Sequence, residues 1–364
     1  MTPAKSDLVC DALRRPQHLS ALTLAGWDVL VRQARRAGLL ARIACMLEAQ
    51  GSMDSVPDAP RAHLKAAITL VEAQHAEAAR ELVCIERALT PTGVRPVLLK
   101  GAAYVAAGLL PAMGRGLTDI DILVPKNQLR DVEAALMVNG WATTHHSAYD
   151  QRYYREWMHE LPPMRHTRRQ TVLAVHHAIL PETAHLKPSS AKLLAGARAL
   201  ADSPGCSVLS PVDMVLHGMV HLFHNDDLSH ALRDLSDLDL LLRSYTRTPG
   251  FWADLAERAR ELDLARALHY GLRYTSKLLA TPIPRDAAAA GDAAGPAHVS
   301  RAVNDMLWTR ALRPQHATAS ATWTPVALFA LHARAQWLCM PPFLMLRHFM
   351  IKALRRHEPA AVNP

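Results

Sequence analysis

Two aspartates alternate with two isoleucines in Asp119-Ile120-Asp121-Ile122-Leu123-Val124, and this run constrains the chain more than any other. Side chains two apart on a strand leave the same face, so Asp119 and Asp121 stand together while Ile120 and Ile122 enter a core. Neighbouring carboxylates repel unless a cation lies between them. Hard oxygen ligands on one rigid edge suit magnesium, which also bridges substrate phosphates. A solvated strand edge carrying two acids is the plainer reading of the same pattern.

The flanking sequence supplies a sheet for this strand. Thr90-Pro91-Thr92-Gly93 is a turn cluster, and the β-type run from Val94 to Leu99 follows it and ends in Lys100-Gly101. A helical pattern from Ala102 to Leu110 stops at Pro111, and Met113 to Thr118 lead into the aspartate strand. A further helix, Asn127 to Val138, ends at Asn139-Gly140, Trp141 opens an extended segment, and Thr171 to His177 reads as another strand. Between them, Tyr149 to Gln170 is polar and irregular, with five arginines. At the Lys100-Gly101 turn the glycine lets an anion approach the backbone and Lys100 adds a point charge, an arrangement suited to phosphate. A turn whose glycine only relieves sterics is the alternative.

Everything outside this unit has helical spacing. The expected organisation is a helical region over residues 1–89, a core over 90–187, a helical subdomain over 188–285, a low-complexity linker over 286–298 and a basic helical region over 299–364. The fold class is therefore α+β, a small mixed-sheet core embedded in predominantly helical flanks. With 364 residues and half of them hydrophobic, the chain has apolar mass for a sizeable core and is neither disordered nor a disulfide mini-protein. The formal charge of +8 favours anionic partners without naming one. Five scattered cysteines without CxxC spacing fit a reducing cytoplasm, and the N-terminus has no continuous apolar run of the signal-peptide kind.

Leu98-Leu99-Lys100-Gly101, then Gly114-Arg115, then Thr118 to Val124 together resemble the polymerase-beta-like nucleotidyltransferase superfamily. More narrowly, they resemble a bacterial uncharacterised nucleotidyltransferase family that carries LKG and a downstream R-x-x-D-x-D. Arg115 to Asp121 read here as Arg-Gly-Leu-Thr-Asp-Ile-Asp. The resemblance implies transfer of a nucleoside monophosphate from a nucleoside triphosphate to an acceptor, with Mg2+ on Asp119 and Asp121. Lys100, Gly101, Arg115 and Thr118 would hold the nucleotide. The acceptor stays open between a sugar or glycan precursor of surface polysaccharide synthesis, an RNA and a protein. The same family carries a histidine-rich helix, here His217, His221 and His224, and an Arg-x-Leu-x-Asp helix, here Arg233, Leu235 and Asp237.

One position departs from that pattern. The superfamily supplies a third carboxylate from a later strand, and this chain reads Ala174-Val175-His176-His177 there. His176, counted with Asp119 and Asp121 as catalytic, or His177 is a candidate stand-in as base or ligand, and Glu182 is near in sequence. A catalytically inactive nucleotide-binding or scaffold protein on the same fold is the alternative. The three histidines lie along one helix face and suit either a metal or the packing of the helical subdomain, with packing the preferred reading. Arg233 and Asp237 have the spacing of an intrahelical pair. From Ala330 onward, Arg334, Arg347, Lys352, Arg355 and Arg356 face a single acid, Glu358, and interleave with Trp337, Phe343, Leu344, Leu346, Phe349 and Ile351. That pattern suits contact with nucleic acid or with the inner membrane face, or a solvated face over a packed stripe.

Overall fold

The computed structural model describes residues 7–144 and 147–340, together with Phe343. Four helices lead in: α1 (Leu8–Arg14), α2 (Leu24–Arg36), α3 (Leu40–Ala49) and the 32-residue α4 (Asp58–Leu89). The core follows as β1 (Val97–Leu99), α5 (Lys100–Ala106), β2 (Ile120–Leu123), α6 (Leu129–Val138), β3 (Trp141–Thr143), α7 (Ala148–Glu156), β4 (Met164–His166) and β5 (Val172–His176). After it come α8 (Ser190–Ala195), β6 (Arg198–Ala199), β7 (Ser207–Val208), α9 (Pro211–His224), α10 (Ala231–Tyr245), α11 (Phe251–Glu261) and α12 (Ala265–Leu279). The described part closes with α13 (Arg285–Ala293), α14 (His298–Ala311) and α15 (Thr324–Cys339). The architecture is α+β, as the sequence pattern implied. Among the described residues no helix is long and apolar enough to cross a membrane.

The seven strands form one mixed sheet in the order β3-β4-β5-β2-β1-β7-β6. β2 lies between β1, which it pairs antiparallel, and β5, which it pairs parallel with Asp121 opposite Ala174. All four residues of β2 are buried. Such a strand must place its backbone groups in ladders on both sides, and its central position does so.

The C-terminal helices gather around aromatic rings. Phe223 of α9 meets Trp308 of α14 edge-on at 4.9 Å and packs near Tyr270 and Tyr274 of α12. Arg334 of α15 lies over the Tyr270 ring at 5.3 Å and donates to the Phe223 carbonyl at 2.8 Å. The first basic residue of the C-terminal stretch is thus committed to the interior rather than to a basic surface. Arg347, Lys352, Arg355 and Arg356, and the apolar residues between them, lie outside the described residues.

Several elements differ from the pattern-based expectation. The irregular stretch 149–170 contains most of α7 and all of β4. The run expected as a linker over 286–298 contains most of α13, whose Ala287 and Gly291 are buried, Gly291 near Leu272 and His269 of α12. An alanine run has the highest helix propensity of any composition, so burial of one face suffices to fix it as a helix.

Candidate functional site

The junction after β1 has an unusual backbone. Lys100 opens α5 with φ of +48°, in the left-handed region that a residue with a side chain enters at a cost. Its ammonium lies 3.0 Å from Asp121 Oδ1. Gly101 has a steric reason to be glycine, because a Cβ there would meet Leu117 Cδ2 at 2.5 Å. The plainer reading of that glycine, space for packing, is the one the contacts explain.

The loop from Leu110 to Leu117 is held from the helical lead-in. Gly114, with φ of +63°, brings its backbone against α3 so closely that a Cβ would stand 2.3 Å from the Arg42 nitrogen. Arg42 is buried and donates to the Pro111 carbonyl at 2.6 Å, the Met113 carbonyl at 3.1 Å and Ser236 Oγ at 2.9 Å. From α4, Gln74 Oε1 accepts from the Leu117 amide, and His75 Nε2 lies 2.7 Å from the Arg115 carbonyl. Helices that carry no motif therefore set the position of the loop that does.

Arg115 is less available than its place in the motif implies. Its Nε donates to Asp237 Oδ2 at 2.7 Å, its Nη1 donates to the Gly116 carbonyl, and Asp234 lies 3.8 Å away. Arg42 Nη2 approaches the other oxygen of Asp237 at 2.8 Å. Asp237 is thus clasped by two buried guanidinium groups, and its expected intrahelical pairing with Arg233 does not form. Arg233 bonds Asp234 instead, at 3.0 Å. Burial disfavours the charged form of Arg115, but Asp237 and Asp234 more than offset this and raise its pKa.

Asp121 is the buried centre of the site, whereas Asp119 sits just before β2 and is exposed. Asp121 Oδ1 accepts from Lys100 Nζ and also from His176 Nε2 at 2.9 Å. Burial alone would raise the Asp121 carboxyl, yet Lys100 and His176 hold it well below the usual carboxylate range. Asp119, exposed at the cavity mouth but partly desolvated by the protein around it, moves the other way, raised by that desolvation and by the charge of Asp121. Thr118 Oγ1 donates to Asp119 Oδ1 at 3.1 Å.

These groups line a cavity of about 200 Å³ between β2, α5, α9 and α10. Lys100, Gly101, Arg115, Thr118, Asp119 and Asp121 all border it, so the structure brings the sequence-derived set together. Five aspartates line the cavity against the cations Lys100, Arg115 and Arg233, and all three cations are paired. A triphosphate entering such a space needs added positive charge. A divalent ion shared between carboxylates and phosphate oxygens supplies it, and the hard oxygens of Asp119 and Asp121 are a suitable donor pair for magnesium. Among the described residues no group of three or more His, Cys, Asp or Glu side chains is arranged to hold a metal unaided.

The position opposite Asp121 is Ala174, on the same face of the sheet as His176. No carboxylate projects from that point. One arrives from elsewhere: Glu160 pairs with His176 in an isolated antiparallel bridge, and its Oε2 lies 3.4 Å from His176 Nδ1. His176 therefore stands between Asp121 and Glu160. Glu160 had no signal in the sequence, because only strand pairing places it here. His177 and Glu182, the other stand-ins considered, border a separate hollow with Lys126.

His217, His221 and His224 line up on α9 as their spacing implied. Burial depresses the basicity of all three, with the Lys100 charge adding to it for His217 and His221, and His224 is pushed down to about 4. Among the described residues they join no metal-holding group, and His221 also borders the cavity.

Residues 23–280 match the model of a family described as uncharacterised nucleotidyltransferase. The chain belongs to that family. The matched span runs from α2 to the end of α12 and includes the Lys100 turn, both aspartates, the α9 histidines and Asp237. No curated protein and no solved structure matches the chain.

Proposed function

We propose that the protein is a magnesium-dependent enzyme that transfers a nucleoside monophosphate from a nucleoside triphosphate to an acceptor. The observation that carries this reading is the placement of Lys100, Asp119 and Asp121 on one cavity wall in a chain of the nucleotidyltransferase family. An acceptor oxygen forms a bond to the α-phosphorus, the bond from that phosphorus to the α,β-bridging oxygen breaks, and diphosphate leaves with the electron pair. Asp119 and Asp121 would hold the metal, which when bound neutralises phosphate charge and orients the reacting groups. Lys100, paired with Asp121 on the cavity wall, is near enough to serve the phosphates, and Thr118 orients Asp119. Arg115 acts as a positioning residue, because its bonds to Asp237 fix the loop entering β2.

Ala174 beside Asp121 favours a second reading, a protein that binds the nucleotide without transferring it. Incubation with each α-labelled nucleoside triphosphate, magnesium and cell extract separates the two. Label appearing in a product other than free nucleotide supports transfer, and bound but untransferred nucleotide supports the second reading.

A further inference from the structure

A second cavity adjoins the first behind Lys100 and has a different chemistry. It measures about 260 Å³, and Lys100, His221 and Asn225 border both spaces. Its walls are the segment after α7 with Met158 to Glu160, the loop Ile179-Leu180-Pro181, Val220 and His224 of α9, and the end of α15. More apolar than polar surface faces inward, and Lys100, already paired with Asp121, is the one lysine or arginine among the described lining residues. Burial keeps His159, His221 and His224 from accepting protons readily, so they add no positive charge at neutral pH. A phosphate-bearing acceptor would thus lose its hydration and have to share the single cation, Lys100, with Asp121 and the nucleotide.

Among the described residues His159 Nδ1, a buried nitrogen of this wall, makes no hydrogen bond. Glu160 also borders this cavity, its carboxylate 3.4 Å from the His176 ring that also holds Asp121. Burial raises the Glu160 carboxyl, with His176 opposing, which makes it a better proton acceptor than an ordinary surface glutamate.

Resting on the nucleotidyl-transfer reading, we infer that this second cavity is the acceptor site. It takes an uncharged alcohol with an apolar body, and Glu160 receives the hydroxyl proton. As the acceptor oxygen bonds to the α-phosphorus and diphosphate leaves, the proton passes to the Glu160 carboxylate, so charge and atoms balance. His176 is the positioning residue that joins this base to Asp121. The α15 wall lies beyond residue 280, outside the span matched by the family, so acceptor choice is written partly in this chain's own C-terminal helices.

The test uses the full chain and two probes of similar size, phenethyl alcohol and phenyl phosphate, followed by saturation-transfer NMR. The alcohol is expected to bind, to lose at least about fivefold in affinity when Leu180→Trp fills the cavity, and to weaken about two- to threefold in Glu160→Gln, which preserves side-chain volume. Phenyl phosphate is expected to bind at least about tenfold more weakly than the alcohol. Equal binding of both probes, no binding of the alcohol, or an alcohol affinity unchanged in both variants overturns the assignment. Failure of magnesium-nucleotide binding, measured separately by calorimetry, would instead remove the transfer reading while the probe result stands by itself.

Discussion

Replacing Asp237 by asparagine tests whether the loop before β2 is held by buried charge. The substitution keeps the shape of the side chain and removes the one negative charge shared by Arg42 and Arg115, both nearly inaccessible. Removing one partner of a buried ion pair costs about 3–5 kcal/mol, because the remaining charge stays desolvated and unpaired. Arg42 keeps its bonds to Pro111, Met113 and Ser236, and Arg115 retains Asp234 at 3.8 Å, so the lower end, about 3 kcal/mol, is expected. For a chain of this size that corresponds to a fall of about 4 °C in Tm. Thermal unfolding followed by far-ultraviolet circular dichroism measures it, with Asp119→Asn as the exposed control, expected within about 0.5 kcal/mol of the parent. A loss below about 1 kcal/mol for Asp237→Asn, accompanied by loss of nucleotide affinity, would refute the reasoning and return Arg115 to the role of a direct phosphate ligand.

Further outcomes follow from single positions. Because Lys100 holds a left-handed backbone, Lys100→Gly should be about 1 kcal/mol more stable than Lys100→Ala in urea unfolding, while both weaken triphosphate binding; equal stabilities would remove the strain argument. Since the folded state depresses His224 from 6.5 to about 4, the unfolded chain takes up protons first on acidification. His224 therefore costs no stability above pH 6.5 and up to about 3 kcal/mol as pH falls to 4. The difference between the parent and His224→Leu, measured by denaturant titration across that range, should change with this sign; a constant difference would contradict it. Ala174→Asp places a third carboxylate beside Asp121, and if Glu160 already supplies the base, label transfer should not rise. A tenfold increase would show that the missing strand carboxylate limits the rate.

The parts of this fold legible in the sequence are those whose residues carry their own pattern. β2 declares itself through alternating aspartate and isoleucine, and α9 through its Ser-Pro start and continuous apolar spacing. β4 does not, because three residues with Arg165 at their centre have no period to detect, and their pairing with β5 and β3 is a long-range property. The convergence of Lys100, Asp119 and Asp121 follows from strand order and was foreseeable. The engagement of Arg115 was not, since a motif names a side chain without naming what that side chain touches. Glu160 and Arg42 were hidden for the same reason, one reaching the site through an isolated bridge and the other from a helix with no motif at all.

The central claim, that Asp119 and Asp121 hold a magnesium ion for a nucleoside triphosphate, is tested most directly by calorimetric titration of the triphosphate with and without magnesium. The parent chain should bind only with the metal, and Asp119→Asn, which touches an exposed carboxylate and leaves the Lys100–Asp121–His176 contacts in place, should weaken binding at least about tenfold. Magnesium-independent binding, or an unchanged affinity in Asp119→Asn and Asp121→Asn alike, would contradict it.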